Sequence, residues 1–156
     1  FRGGAAKSLR DDFDSFNAEH AAWLDDYALF MAVKDTTPGR DWVEWPDELV
    51  ARQPTGLDRT RRELADGFDR HRFAQFLFAR QLAALRQHAK ARGVRLLGDM
   101  PIFISADSAD VWANAGEFLL DAELNPTVVA GVPPDYFAAD GQHWGNPLYD
   151  WDRMEK

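Results

Sequence analysis

A long helical signature, stopped by a glycine and followed at once by a short aliphatic run ending on an acid, limits what this chain can fold into more than any other feature. From about Phe68 to Arg92 apolar side chains recur at helical spacing, and Gly93 is placed to end that helix. Val94, Leu96 and Leu97 then give a β-branched and aliphatic run that reads as a buried strand with Asp99 at its C-terminal end. A carboxylate-rich loop from Ser105 to Trp112 follows. Helix, strand and loop in that order make one unit of a parallel α/β fold, where binding and catalytic groups sit at the carboxyl ends of strands. On spacing alone a helix cap or a solvated loop carboxylate is the commoner fate of an Asp such as Asp99, and only the rest of the chain raises the functional reading.

Within the long helix, Arg72, Gln75, Arg86 and Lys90 share one narrow face, while Phe73, Phe76, Leu77, Phe78, Leu82, Leu85 and Ala89 cover the wider remainder. Such a helix is expected to be buried on more than one side, against a sheet and beneath another helical layer. Arg80 lies at the edge of the apolar arc, either as a partly buried ion-pair partner or as a snorkelling surface arginine.

Upstream, Ser8-Leu-Arg-Asp11 resembles a capping box, and Phe13, Phe16, Trp23 or Leu24, Tyr27, and Phe30 or Met31 predict an amphipathic helix from about residue 11 to 34. Asp25 and Asp26 fall inside it, on a solvated face or, for one of them, toward a ligand or Tyr27. Residues 35 to 58 are punctuated by Pro38-Gly39, Pro46 and Pro54-Thr-Gly56 and read as an irregular connector, with a short helix only over 47 to 52. Trp42 and Trp45 are expected to pin it against neighbouring helices. Thr60-Arg-Arg-Glu63 is a second capping-box pattern, marking a helix start.

Net charge narrows the partners. At −8 over 156 residues, the chain is poorly suited to nucleic acid or an anionic membrane surface, and a neutral or cationic ligand fits better. With 46% hydrophobic residues it has enough apolar content for one domain with a real core. There is no cysteine, so no disulfide framework, thiolate nucleophile or cysteine metal site is available, and a reducing, cytoplasmic compartment fits. No run approaches the roughly 20 apolar residues of a membrane span, and the N-terminal Phe1-Arg-Gly-Gly lacks an initiator Met and a signal-peptide core. The chain reads as soluble and cut from something longer.

Aromatic residues make up 13% of the chain, with six Trp and eleven Phe, and where each falls decides its use. Asp121 to Val129 can form a strand or hairpin arm. Beyond it, Pro133-Pro134 and the glycines of the 130–149 region forbid a continuous helix, so Tyr136, Phe137, Trp144 and Tyr149 cannot all be a periodic core stripe. Some must sit on a shaped loop. Large rings beside amide and carboxylate groups offer a polyhydroxylated ligand flat apolar faces and hydroxyl partners. The four His residues show no metal-binding spacing, and there is no Gly-x-Gly-x-x-Gly, Walker loop or Gly-x-Ser-x-Gly, so no metal, nucleotide or serine-triad chemistry is indicated and no cofactor is expected.

Five motifs carry a resemblance: Trp23-Leu-Asp-Asp-Tyr-Ala-Leu-Phe30, Phe76-Leu-Phe-x-Arg-Gln81, Gly98-Asp-Met-Pro-Ile-Phe103, Asp107-Ser-Ala-Asp-Val-Trp112, and Val129-Ala-Gly-Val-Pro-Pro-Asp-Tyr-Phe137 with Gly141-Gln-x-Trp-Gly-Asn-Pro-Leu-Tyr149. In order and over nearly the whole chain they resemble the 4-alpha-glucanotransferases, the amylomaltases or disproportionating enzymes of glycoside hydrolase family 77. The resemblance implies an α/β chain that is a fragment of a decorated (β/α)8 TIM barrel with an inserted helical subdomain. In that division 1–65 belongs to the helical subdomain, 66–112 supplies a barrel helix, strand and following loop, and 113–156 holds a substrate loop and the start of the next barrel element. It also implies transfer of α-1,4-glucan segments between maltooligosaccharides with retention, through a β-glycosyl-enzyme intermediate. Asp99 would lie at the sugar-binding end of its strand, Asp135, Tyr136 and Phe137 would form the flexible loop over the cleft, and Gln142 and Trp144 would contact glucose units.

The family's nucleophilic Asp, acid/base Glu and second stabilising Asp come from later strands that this chain does not contain. Retaining chemistry needs a nucleophile and an acid/base carboxylate about 5–5.5 Å apart, so no catalytic residue is assigned here. The partners implied are α-1,4-glucans and the remainder of a parent chain, with no nucleic acid and no membrane. Leu82 and Ile104-Ser105 depart locally from the family's usual residues. The alternative is a non-catalytic carbohydrate-binding or helical interaction module that reuses the aromatic loop without chemistry.

Overall fold

A computed structural model describes residues 4–154. Two long helices dominate: α1 (Gly4–Thr36) and α4 (Ala65–Ala91), with the short helices α2 (Asp47–Val50) and α3 (Pro54–Glu63) between them. After α4 come α5 (Ala109–Ala113), the antiparallel strands β1 (Val129–Val132) and β2 (Gln142–Pro147), and α6 (Trp151–Met154). The chain divides into two compact units, Phe1–Pro38 with Asp58–Asp99 and Gly39–Leu57 with Met100–Lys156.

The first unit is a helix pair. Phe13 meets Phe73 and Phe76 edge-on at 5.5 and 5.6 Å between ring centroids, and Phe16 meets Phe76 at 5.7 Å. Leu24, Ala28, Leu29 and Val33 of α1 are buried, as are Phe68, Phe76 and Ala89 of α4. At the C-terminus of α1, Asp35 accepts hydrogen bonds from Arg70 and His71, the latter at 2.8 Å. The His71 contact chiefly, with Arg70, holds the Asp35 carboxyl below its ordinary value of 3.8. Asp25 faces Arg72 at 3.6 Å, and Arg80 pairs with Asp12 at 3.3 Å on the exposed surface.

Helix α1 begins upstream of the expected start, because Ala5, Ala6 and Lys7 are strong helix formers; Ser8 and Asp11 therefore lie inside the helix instead of boxing its end. Residues 53 to 63 are also more regular than expected. Pro54 opens α3, where its missing N–H removes a bond the first turn never makes. Gly56 then lets the helix approach Glu48, whose Cγ a Cβ at that position would meet at 3.0 Å. Thr60 is consequently buried within α3 and does not start a helix.

The long-helix expectation holds over Ala65–Ala91, and so does its stop. Gly93 adopts φ +70°, its N–H donates to the Lys90 carbonyl and the Val94 N–H reaches back to that of Ala89, the bonding of a left-handed glycine cap. Two expectations beyond it are not met among the described residues. Residues 94–99 are not a strand: a strand is held by ladder bonds to neighbours, and among the described residues none pairs with this segment. Its apolar side chains are exposed, Leu97 completely. The long helix likewise does not bury two sides here, since Phe78 and Leu85 are exposed.

In the second unit Trp42 and Trp45, both buried, pin the connector as expected, though chiefly to the 106–112 segment. The Trp42 indole N–H donates to the Ala106 carbonyl at 2.9 Å, its backbone N–H donates to Asp107, and the Trp45 ring packs edge-on against Trp112. Trp112, 1% exposed, donates its indole N–H to the Leu49 carbonyl at 2.8 Å beneath the Arg52 guanidinium.

Candidate functional site

The site is built on the β1–β2 hairpin. Val129, Gly131 and Val132 pair with Pro147, His143 and Gln142, with an irregularity between Val129 and Gly131. Only glycine fits at residue 131, because a Cβ there would sit 2.6 Å from the Gln142 carbonyl oxygen. At the far end Gly141 turns the chain with φ +73°, and a Cβ on it would lie 2.5 Å from the Val132 oxygen. The expected strand over 121–129 is thus realised only from Val129, because residues 121–125 turn on the Asp121 side chain, which accepts from the Glu123 and Asn125 N–H groups.

Between the strands, Pro133 and Pro134 lead into a tight turn organised by Asp135. Its Oδ1 accepts from the Phe137 N–H at 2.8 Å and the Ala138 N–H at 2.7 Å, and its own N–H donates to the Ala138 carbonyl. Gly141 donates to the same carbonyl. The turn thrusts Tyr136 and Phe137 outward, 97% and 90% exposed, with their rings edge-on at 5.5 Å.

Along β2, Gln142 and Trp144 share a face by strand alternation. The Trp144 indole N–H donates to Gln142 Oε1 at 3.0 Å, which fixes the amide's orientation and leaves its NH2 for other partners. The Trp144 ring is 48% exposed and stands edge-on to Phe103 at 5.9 Å. Asn146 donates its side-chain N–H to the Ile104 carbonyl at 2.7 Å, so the segment after Pro101 is tied to β2. Phe103 and Asn146 belong to the motifs singled out in the sequence, but nothing in residue order shows that one braces Trp144 and the other ties its strand.

Of the six residues expected to bind ligand, the hairpin gathers Asp135, Tyr136, Phe137, Gln142 and Trp144. Asp99 ends the exposed 94–99 segment of the helical unit. That unit has its own cavity of about 820 Å3 between α1 and α4, lined by Arg10, Phe13, Asp14, Asn17, Arg72 and Phe73 among others. Among the described residues no three His, Asp or Glu side chains gather as metal ligands would, and no helix is long and apolar enough to cross a membrane. The hairpin thus presents the exposed rings of Tyr136, Phe137 and Trp144 and the oriented Gln142 amide on its surface.

Residues 1–156 match the sequence family described as 4-alpha-glucanotransferase along their whole length. The chain belongs to the 4-alpha-glucanotransferase family. It is 49% identical over 156 residues to the 4-alpha-glucanotransferase of Thermus thermophilus, covering all of this chain and 31% of that protein. It is 41% identical over 150 residues to the chloroplastic/amyloplastic 4-alpha-glucanotransferase of Solanum tuberosum, covering 95% of this chain and 26% of the relative. Among solved structures, an amylomaltase from Streptococcus agalactiae in complex with acarbose superposes with a TM-score of 0.87 at 37% identity, over 96% of this chain and 30% of that one. The chain therefore spans about 30% of the length of the 4-alpha-glucanotransferases it matches.

Proposed function

We propose that this chain is the glucan-holding part of an enzyme that transfers α-1,4-glucan segments between maltooligosaccharides with retention, the catalytic carboxylates lying outside it. The observation that carries the reading is the pair of large rings, Tyr136 and Phe137, held almost wholly in solvent by a hydrogen-bonded turn within a 4-alpha-glucanotransferase chain. Exposing such rings is unfavourable unless a ligand or partner covers them, and sugar rings present matching apolar faces. Trp144 adds a further face, Gln142 supplies amide donors, and Asp99 supplies a carboxylate from the segment that follows Gly93. The acarbose complex of the related amylomaltase supports an oligosaccharide as the ligand class.

In the parent enzyme residues 94–99 form a barrel strand, with 1–65 in the helical subdomain, 66–112 supplying barrel elements and 113–156 the substrate loop. The exposed apolar run through Leu97, Met100 and Ile102 supports this, because such side chains call for neighbours on both faces of a parallel sheet. A cytoplasmic site suits a chain without cysteine, whereas the plant relatives are named as plastid proteins. The test is to incubate the full-length parent with maltotriose and follow glucose and longer oligosaccharides by chromatography, with the anomer of the new bond read by NMR. Longer products with retained α-linkages are expected; no transfer would refute the function.

A further inference from the structure

The carboxylate of Asp135 stands beside two exposed rings in the region assigned to glucan, where a direct contact with sugar hydroxyls is the obvious role. Its bonding points elsewhere. Oδ1 is already shared between the N–H groups of Phe137 and Ala138, and the Asp135 N–H closes the same turn onto the Ala138 carbonyl. Three hydrogen bonds from one residue therefore span the two aromatic positions, and the Gly141 N–H on the Ala138 carbonyl ties the turn to the hairpin end. The rings themselves do little to hold the turn: they touch one another and are otherwise almost fully solvated. Without a buried anchor, the direction in which Tyr136 and Phe137 project depends on backbone geometry, and Asp135 is the side chain that sets it.

We propose that Asp135 is a positioning residue, holding Tyr136 and Phe137 in a preorganised pose for glucan through the backbone amides of its own turn, with its charge dispensable. The proposal rests on the glucan-binding reading above. Ordering a loop only on binding lowers affinity, so an unmade turn is felt as weaker capture of substrate, with the bond-breaking step unchanged.

Asn at 135 keeps an acceptor oxygen for the two N–H groups and forms the same kind of turn, but it replaces the second carboxylate oxygen by an NH2 donor. Ala removes the acceptor altogether. In the full-length parent enzyme, Asp135→Asn and Asp135→Ala are compared with wild type by hydrogen exchange of the 134–141 peptide and by kcat and KM for maltoheptaose. Asp135→Ala is expected to speed exchange of the loop and to raise KM about five- to tenfold with kcat within about twofold, as for the loss of one or two net hydrogen bonds. Asp135→Asn is expected to restore both exchange and KM to near the wild-type values. The proposal is overturned if Asp135→Asn is as impaired as Asp135→Ala while its loop stays protected, which would place the carboxylate on the sugar itself. It is equally overturned if Asp135→Ala leaves exchange unchanged, or speeds exchange without raising KM. A wild-type parent that does not use maltoheptaose refutes the glucan reading instead, and the exchange comparison is independent of that outcome.

Discussion

Gly131, Gly141 and Gly145 separate the two physical reasons for a glycine in the hairpin, so their replacement by Ala tests the geometry of the site quantitatively. Gly145 has φ +76° with nothing within 4 Å of the place a Cβ would take, so Gly145→Ala introduces backbone strain alone, about 1–2 kcal/mol. Gly131 has no positive φ, but its Cβ would stand 2.6 Å from the Gln142 oxygen, so Gly131→Ala introduces overpacking alone, about 1–3 kcal/mol. Gly141 carries both: φ +73° and a Cβ 2.5 Å from the Val132 oxygen, with Pro133 and Pro134 backbone atoms at 3.0 and 3.1 Å. Gly141→Ala should therefore weaken the hairpin by the sum, about 2–5 kcal/mol. Native-state hydrogen exchange of the 129–132 and 142–147 amides in the full-length parent reads the opening free energy directly. Gly145→Ala should speed exchange by about 5- to 30-fold, and Gly141→Ala by about a further 5- to 150-fold, up to the limit set by complete opening. Equal effects at all three positions, or a smaller effect at Gly141 than at Gly145, would refute the reasoning.

Lowering the pH should remove the stabilisation that Asp35 supplies. Its folded value is depressed by His71 and Arg70, so the contribution is complete above the ordinary 3.8 and is lost as pH falls through the lower folded value; Asp35→Asn should flatten the acid-unfolding curve below about pH 4. Trp112→Ala should destabilise by about 3–5 kcal/mol through lost packing, and Trp112→Phe by about 1–3 kcal/mol through the lost bond to Leu49, as denaturant unfolding of the parent would measure; equal effects would contradict the packing described. The isolated chain should sediment heavier than its 17.7 kDa at micromolar concentration, with Leu97→Lys shifting it toward monomer, and should release no glucose from maltotriose because no nucleophile and acid/base pair is assigned in it.

The two long helices, the stop at Gly93 and the irregular aromatic loop were legible because each depends on contacts within a few residues. A left-handed glycine after a helical run, or two consecutive prolines, limits the backbone whatever surrounds it. The segment after Gly93 was not legible in the same way. Val94, Leu96 and Leu97 have strand character, but a strand is completed by partners distant in sequence, and the described residues supply none. Pro54 and the Thr60-to-Glu63 pattern misled for a local reason: proline is harmless at a helix start, and a capping sequence inside a packed helix has no free N–H groups to cap. At the site, the prolines and glycines require that some of Tyr136, Phe137, Trp144 and Tyr149 leave a periodic stripe, but that Tyr136 and Phe137 are the ones turned outward did not follow from the residues alone. The use of Asp135 on the turn amides and of Gln142 on the Trp144 indole did not either, because both depend on a register and a turn geometry that bring particular atoms within 3 Å.

The claim that the hairpin is a glucan platform is tested most directly by Trp144→Ala in the full-length parent, with melting temperature and kcat/KM for maltotriose and maltoheptaose measured side by side. Stacking contacts away from the reacting bond position the chain, so their loss should grow with the number of sugar units bound. A half-exposed indole outside the core should leave the melting temperature within a few degrees of wild type, while kcat/KM falls about tenfold or more for maltoheptaose and clearly less for maltotriose. A large fall in melting temperature with both substrates affected equally would contradict the claim and make Trp144 a packing residue.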